Sequence, residues 1–84
     1  LIFYLKKNPS VKIIITGHTD NEGDSKENVR LSYDRAKAVM SYLLSNEIDE
    51  KNVSVEGKGD RLPIDSNSTP EGREKNRRVE ISFY

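Results

Sequence analysis

The sequence predicts one α+β domain, built on a strand–helix–strand crossover that is followed by a short helix and a closing strand. Three observations carry this. Val11 to Thr16 (VKIIIT) is a β-branched, almost wholly apolar run. Asp24 to about Asn46 places apolar residues at steps of three and four. Near the end, Val79, Ile81 and Phe83 alternate with Glu80, Ser82 and Tyr84. The 84 residues fill a single domain, residues 1–84. A domain of this size buries only about 60–65 % of its unfolded surface, so its stability is marginal.

Leu1 to Lys7 is short and apolar, then basic, and Asn8-Pro9 stops it, which reads as the last turns of a helix. With no beginning to that helix and no initiating methionine, the sequence reads as a piece of a longer protein. Val11 to Thr16 reads as a central strand covered on both faces or nearly so, ending at Gly17. Asp24-x-x-Glu27 resembles a capping box, with Asp24 as N-cap and Glu27 reaching back. The helix that follows carries its apolar stripe on Val29, Tyr33, Ala36, Val39, Met40 and Leu43, with Asp34 and Lys37 oppositely charged on an outer face. It ends at Glu47, where a left-handed turn would favour glycine and a side chain costs about 1 kcal/mol.

Asn52 to Glu56 (NVSVE) alternates as a second strand, parallel to the first across a right-handed crossover. Gly57 to Asn76 is a long connection. Within it Thr69-Pro70-Glu71 offers an N-cap, a proline at the first helical position and an acid in the first turn, predicting a short helix over Pro70 to Asn76. Val79 to Phe83 is the last, half-buried strand.

Composition excludes several functions. Lys plus Arg and Asp plus Glu number 14 each, so the chain offers no field for nucleic acid and no polybasic membrane anchor. No apolar run is long enough to span or insert into a membrane, and LIFYL is too short for a signal core. The absence of cysteine removes disulfide and thiol chemistry.

His18-x-Asp20-x-Glu22-x-Asp24 has the look of a metal loop. Counted from Asp20, however, the glycine and bidentate-acid positions of a calcium loop hold Ser25 and Leu31. One histidine without cysteine does not make a closed zinc site either. No metal and no cofactor is expected. No G-x-S-x-G nucleophile accompanies His18, and Gly57-Lys58-Gly59 lacks phosphate-loop spacing, so His18 reads as a loop histidine that packs or hydrogen-bonds locally. Asp20 is more informative. It lies just past the end of the isoleucine strand, where ligands of open sheets gather. Arg35, about three turns into the following helix, lies on a flank that can face it. An acid and an arginine so placed suit a zwitterion, the carboxylate taking an ammonium and the guanidinium a carboxylate. They also suit a structural salt bridge, and on spacing alone that reading stands slightly ahead. Arg73, Lys75, Arg77 and Arg78 read as a solvated basic face.

GHTDNEG (Gly17 to Gly23), Asn28, LSYDRA (Leu31 to Ala36), VMSYL (Val39 to Leu43), VEGKGDRLPI (Val55 to Ile64) and EGREKNRRVEISF (Glu71 to Phe83) occur in one order along nearly the whole chain. Together they resemble the OmpA-like peptidoglycan-binding domain shared by OmpA C-terminal domains, the peptidoglycan-associated lipoprotein and MotB-type flagellar stators. The resemblance implies a two-layer β-α-β-α-β-β fold with a mixed sheet, here without its first strand and most of its first helix, so that one edge of Val79 to Phe83 is open to a second chain. It implies binding, without cleavage, of the meso-diaminopimelate of the peptidoglycan stem peptide. The implied ligand-binding residues are Asp20 and Arg35, with Asn28 and Arg77 lining the same pocket and Thr19 beside it. The implied setting is the periplasmic part of an outer-membrane or envelope protein in a Gram-negative bacterium. A structural or oligomerisation module and a cell-wall amidase are the alternatives.

Overall fold

The isoleucine run supplies the middle strand of a three-stranded sheet, and the long helix packs across one of its faces with Leu5 of the first helix in the same core. A computed structural model describes residues 1–84. In chain order the elements are α1 (Ile2–Lys7), β1 (Ile13–His18), α2 (Ser25–Ser45), a 3-10 turn (Glu50–Asn52), β2 (Val53–Gly59), α3 (Pro70–Asn76) and β3 (Arg78–Phe83). The strand order is β2-β1-β3. β1 and β2 run parallel, as the crossover through α2 requires, and β3 returns antiparallel to β1, making the sheet mixed. β3 is therefore an edge strand, paired on one side only.

β1 starts and ends two residues later than the sequence suggests. Val11 is spent in the turn that closes α1, donating its N–H to the Asn8 carbonyl. Gly17 does not end the strand but pairs with Gly57 on one side and Val79 on the other. The two faces of β1 are covered unequally. Ile13 and Ile15 point toward the helices and are buried, whereas Ile14 and Thr16 on the opposite face are half-buried. The core comprises Leu5 of α1, Ile13, Ile15, Ala36 and Leu43 of α2, and Ile48. Each large aliphatic among these contributes about 1.5–3 kcal/mol by burial.

Asp24 caps α2 as expected, accepting from the N–H groups of Lys26 (2.7 Å) and Glu27 (3.3 Å). The reciprocal half of the capping box is not made, because the Glu27 carboxylate pairs with Arg30 at 2.8 Å. Arg30 also takes Asp34 at 3.1 Å, so Asp34 pairs with Arg30 in place of Lys37. Tyr33 is not a core residue: it is 41% exposed. The buried side of α2's first turns belongs instead to Asn28 and Ser32. The cause is close approach. A β-carbon on Gly17 would lie 1.9 Å from the Ser32 carbonyl oxygen, and one on Gly57 would lie 2.7 Å from the Val29 carbonyl oxygen. Helix and sheet touch backbone to backbone here, which excludes a large side chain between them. The Ser32 hydroxyl accepts from Gly59 N–H at 2.9 Å and donates to the Val29 carbonyl at 2.8 Å, fixing the contact.

The long connection is ordered by α3. Thr69 caps it, accepting from Gly72 N–H at 3.0 Å. Asn76, fully buried, accepts from the N–H groups of Ile64 (2.8 Å) and Asp65 (3.0 Å) and donates to the Asp65 carbonyl and Asn67 Oδ1. No helix is long and apolar enough to cross a membrane.

Candidate ligand-binding site

The turn after β1 is held from three sides. Thr19 N–H still pairs with the Gly59 carbonyl at 2.9 Å, prolonging the β1–β2 ladder by one residue. Its hydroxyl donates to the Asp20 carbonyl at 2.7 Å. Asn28, buried in the first turn of α2, donates from Nδ2 to the Glu22 carbonyl at 2.9 Å and to the Asp20 carbonyl at 3.5 Å. Gly23 completes the turn at φ +82°, a conformation open to glycine and strained for other residues.

This frame presents the Asp20 carboxylate, whose side chain is 10% exposed. One oxygen accepts Glu22 N–H at 3.0 Å, and the other receives Arg77 Nη1 at 2.6 Å. Burial pushes the Asp20 carboxyl pKa up, but the Glu22 N–H, the Arg77 guanidinium and the charge of Arg73 outweigh it, and the net direction is down. Asp20 is thus a firmly ionised acid at neutral pH.

Of the five residues singled out from sequence, four converge: Thr19, Asp20, Asn28 and Arg77 form one connected set. Arg35 does not join them. The salt bridge Asp20–Arg35 is not formed, because Arg77 occupies Asp20. Arg35 is exposed and enters none of the molecule's ion pairs. It lies seven residues, or two helical turns, beyond Asn28 and hence on the same helix face. The opposite flank of α2, with Val29 and Tyr33, meets β2 at Gly57 and Gly59. Arg35 therefore lies on the flank turned toward β3, the side from which Arg77 reaches Asp20.

The terminal basic residues are only in part a solvated face: Lys75 and Arg77 are exposed, Arg73 and Arg78 half-buried, and all four are paired. Arg73 contacts Glu22 at 3.4 Å and donates to the Asn67 carbonyl at 3.1 Å. Lys75 pairs with Asp65 at 3.3 Å. Arg78 holds Glu80 at 2.6 Å together with the carbonyls of Asn76 (3.2 Å) and Leu62 (3.0 Å). Arg73 is the contributor that sequence reasoning passed over; its one signal is its position one helical turn before Arg77 on α3.

His18 is the last residue of β1 rather than a loop residue, and it is 2% exposed. Neither ring nitrogen has a hydrogen-bond partner; Glu80 Oε1 lies 3.6 Å from Nε2. Burial, then the adjacent Arg78 charge, lowers its pKa.

The largest hollow, about 340 Å³, is lined by Leu5, Val11, Ile13 and Ile48 among others, at the far end of β1 from Asp20. The Asp20 site is a charged shelf rather than a cavity, suited to a polar group of an extended ligand.

The sequence model of the OmpA family matches residues 2–77. The chain is 47% identical over 77 residues to the peptidoglycan-binding protein ArfA of Mycobacterium tuberculosis, covering 92% of this chain and 24% of that protein. It is 51% identical over 71 residues to outer membrane protein A of Bordetella avium, covering 84% of this chain and 37% of that one. The chain thus spans only a minor part of these curated relatives. Its fold superposes on the crystal structure of the peptidoglycan-associated lipoprotein from Burkholderia pseudomallei with a TM-score of 0.95 at 28% identity, covering 99% of this chain and 70% of that one.

Proposed function

The chain belongs to the OmpA family, and we propose that it is a non-catalytic module that tethers an envelope protein to peptidoglycan by clamping meso-diaminopimelate of the stem peptide. The observation that carries this is an ionised, nearly buried carboxylate at a strand end, with the unpaired cation of Arg35 on the adjacent helix flank. Asp20 takes the ammonium of the zwitterion, and Arg35 swings to its carboxylate with a bidentate fork. Asn28 and Thr19 hold the turn that carries Asp20, and Arg77 lines the same shelf. The relative named as a peptidoglycan-binding protein supports the polymer as ligand.

The setting that fits is the periplasmic side of an outer-membrane or other envelope protein in a Gram-negative bacterium. The relative named as an outer membrane protein supports it. Binding without cleavage is in keeping with the relative named for peptidoglycan binding.

Charge-assisted hydrogen bonds contribute about 1.5–3 kcal/mol each. Two or three of them, less the cost of ordering the partners, give micromolar to millimolar affinity for one stem. A wall polymer with many stems makes that sufficient for anchoring. The test is sedimentation of the chain with purified sacculi. Arg35→Ala should stay in the supernatant while keeping a dispersed NMR spectrum, and Arg35→Lys should bind poorly, having lost the fork. A folded Arg35→Ala protein that still sediments refutes the clamp.

A further inference from the structure

In the free protein Asp20 is already occupied. Glu22 N–H takes one oxygen at 3.0 Å and Arg77 the other at 2.6 Å, so an arriving ammonium meets a guanidinium in its place. Resting on the reading of Asp20 as the ammonium acceptor, we propose that Arg77 is an exchangeable counter-ion that makes the site selective for a zwitterion over a plain ammonium.

The three arginines around α3 differ in how firmly they are held. Arg78 has three partners and Arg73 two. Arg77 has Asp20 alone, and its side chain remains 41% exposed. It is the arginine able to leave. Its presence in the free state follows from Asp20, because a carboxylate that is 10% exposed is costly to leave charged and unpaired. Arg73, held by Glu22 and the Asn67 carbonyl, stays behind when Arg77 departs.

Displacement then has two outcomes, decided by the ligand. An ammonium with a carboxylate on the same carbon takes the Asp20 oxygen and offers the displaced Arg77 a new anion, so one ion pair is exchanged for two. A lysine-type ammonium takes the same oxygen and leaves Arg77 without a partner, so one pair is exchanged for one, with the ordering of the ligand still opposing it. The discrimination lies in competition for Asp20, separately from whatever Arg35 adds by direct contact. This is selection by penalising the wrong ligand.

The experiment is an amide NMR titration of the chain with two soluble tripeptide stems, one carrying meso-diaminopimelate and one L-lysine at the third position. Wild type is compared with Arg77→Ala and with Arg77→Gln, which keeps the side-chain length without the charge. Both variants should bind the lysine peptide about three- to tenfold more tightly than wild type does, as fits removal of a partly exposed ion pair, and the preference for the diaminopimelate peptide should shrink. If the folded variants bind the lysine peptide no better than wild type, while wild type binds the diaminopimelate peptide saturably, the exchange is wrong and the clamp stands. If wild type binds neither peptide, the stem-peptide reading itself fails and the exchange with it.

Discussion

The backbone of α2 at Ser32 lies directly against Gly17 of β1, with no room between them for a β-carbon: it would sit 1.9 Å from the Ser32 carbonyl oxygen. This contact sets where the helix rests and, through Asn28 one turn earlier, where Asp20 is held. Gly17→Ala must lift the first turns of α2 off the sheet, an overpacking cost of about 3 kcal/mol or more. Total stability for this length is only about 4–12 kcal/mol, so the urea midpoint should fall steeply. A Gly17→Ala protein with an unchanged midpoint would show that the contact is looser than described.

Asn28 connects that contact to the site. Asn28→Ala removes both donors to the 20–22 turn and leaves the Glu22 carbonyl without its partner at 2.9 Å. We expect about 1–2 kcal/mol of lost stability and a larger loss in binding, because Asp20 is then presented by a looser turn. Asn28→Asp should be worse, since it points a carboxylate at carbonyl oxygens. Urea melts beside sacculus sedimentation check both; equal losses of stability and binding in Asn28→Ala would assign Asn28 a purely structural role.

The crossover, the two long elements and the short α3 are legible in the sequence because period, capping residues and β-branching all agree there. Tyr33 is misread for a physical reason. The helical stripe assumes that burial selects apolar bulk, whereas contact between Gly17, Gly57 and α2 selects small polar residues, Asn28 and Ser32. The pairing of Asp20 is misread for another. Arg35 and Arg77 are both arginines in reach of one acid by pattern, and the choice between them depends on how α3 docks against the 60–69 loop. That docking is fixed by Asn76, a residue whose four hydrogen bonds have no signature in periodicity.

At the other end of α2 a local cost is visible. Glu47 has φ +69°, the left-handed conformation anticipated from the helix end. Glu47→Gly should raise stability by about 1 kcal/mol by removing that strain. The lost contact with Lys6, 3.8 Å between largely exposed side chains, offsets little. The urea midpoint should rise with an unchanged slope, and a fall would mean that flexibility gained by the unfolded chain outweighs the strain relieved.

Acid should destabilise the domain in two stages. His18 has its pKa lowered by burial and by Arg78, so it folds neutral, and protonation is easier in the unfolded chain. Its contribution is complete above the unfolded value of about 6.5 and is lost as pH falls through its folded value. Glu80, lowered chiefly by Arg78, Asp20, lowered against burial by Glu22 N–H and Arg77, and Asp65, lowered by Ser66 N–H and Lys75, have the same sign. Their contributions hold above the ordinary carboxylate range of about 4 and fade below it. Lys58 and Arg78 face His18 and Glu80 alone opposes them, so the first stage is assigned to the ring itself. His18→Leu should remove that stage. Because neither ring nitrogen has a partner to lose, stability at neutral pH should stay within about 1 kcal/mol of wild type. Urea melts from pH 7.5 to 3 would measure both stages; a His18→Leu protein that keeps the first stage would place its origin elsewhere.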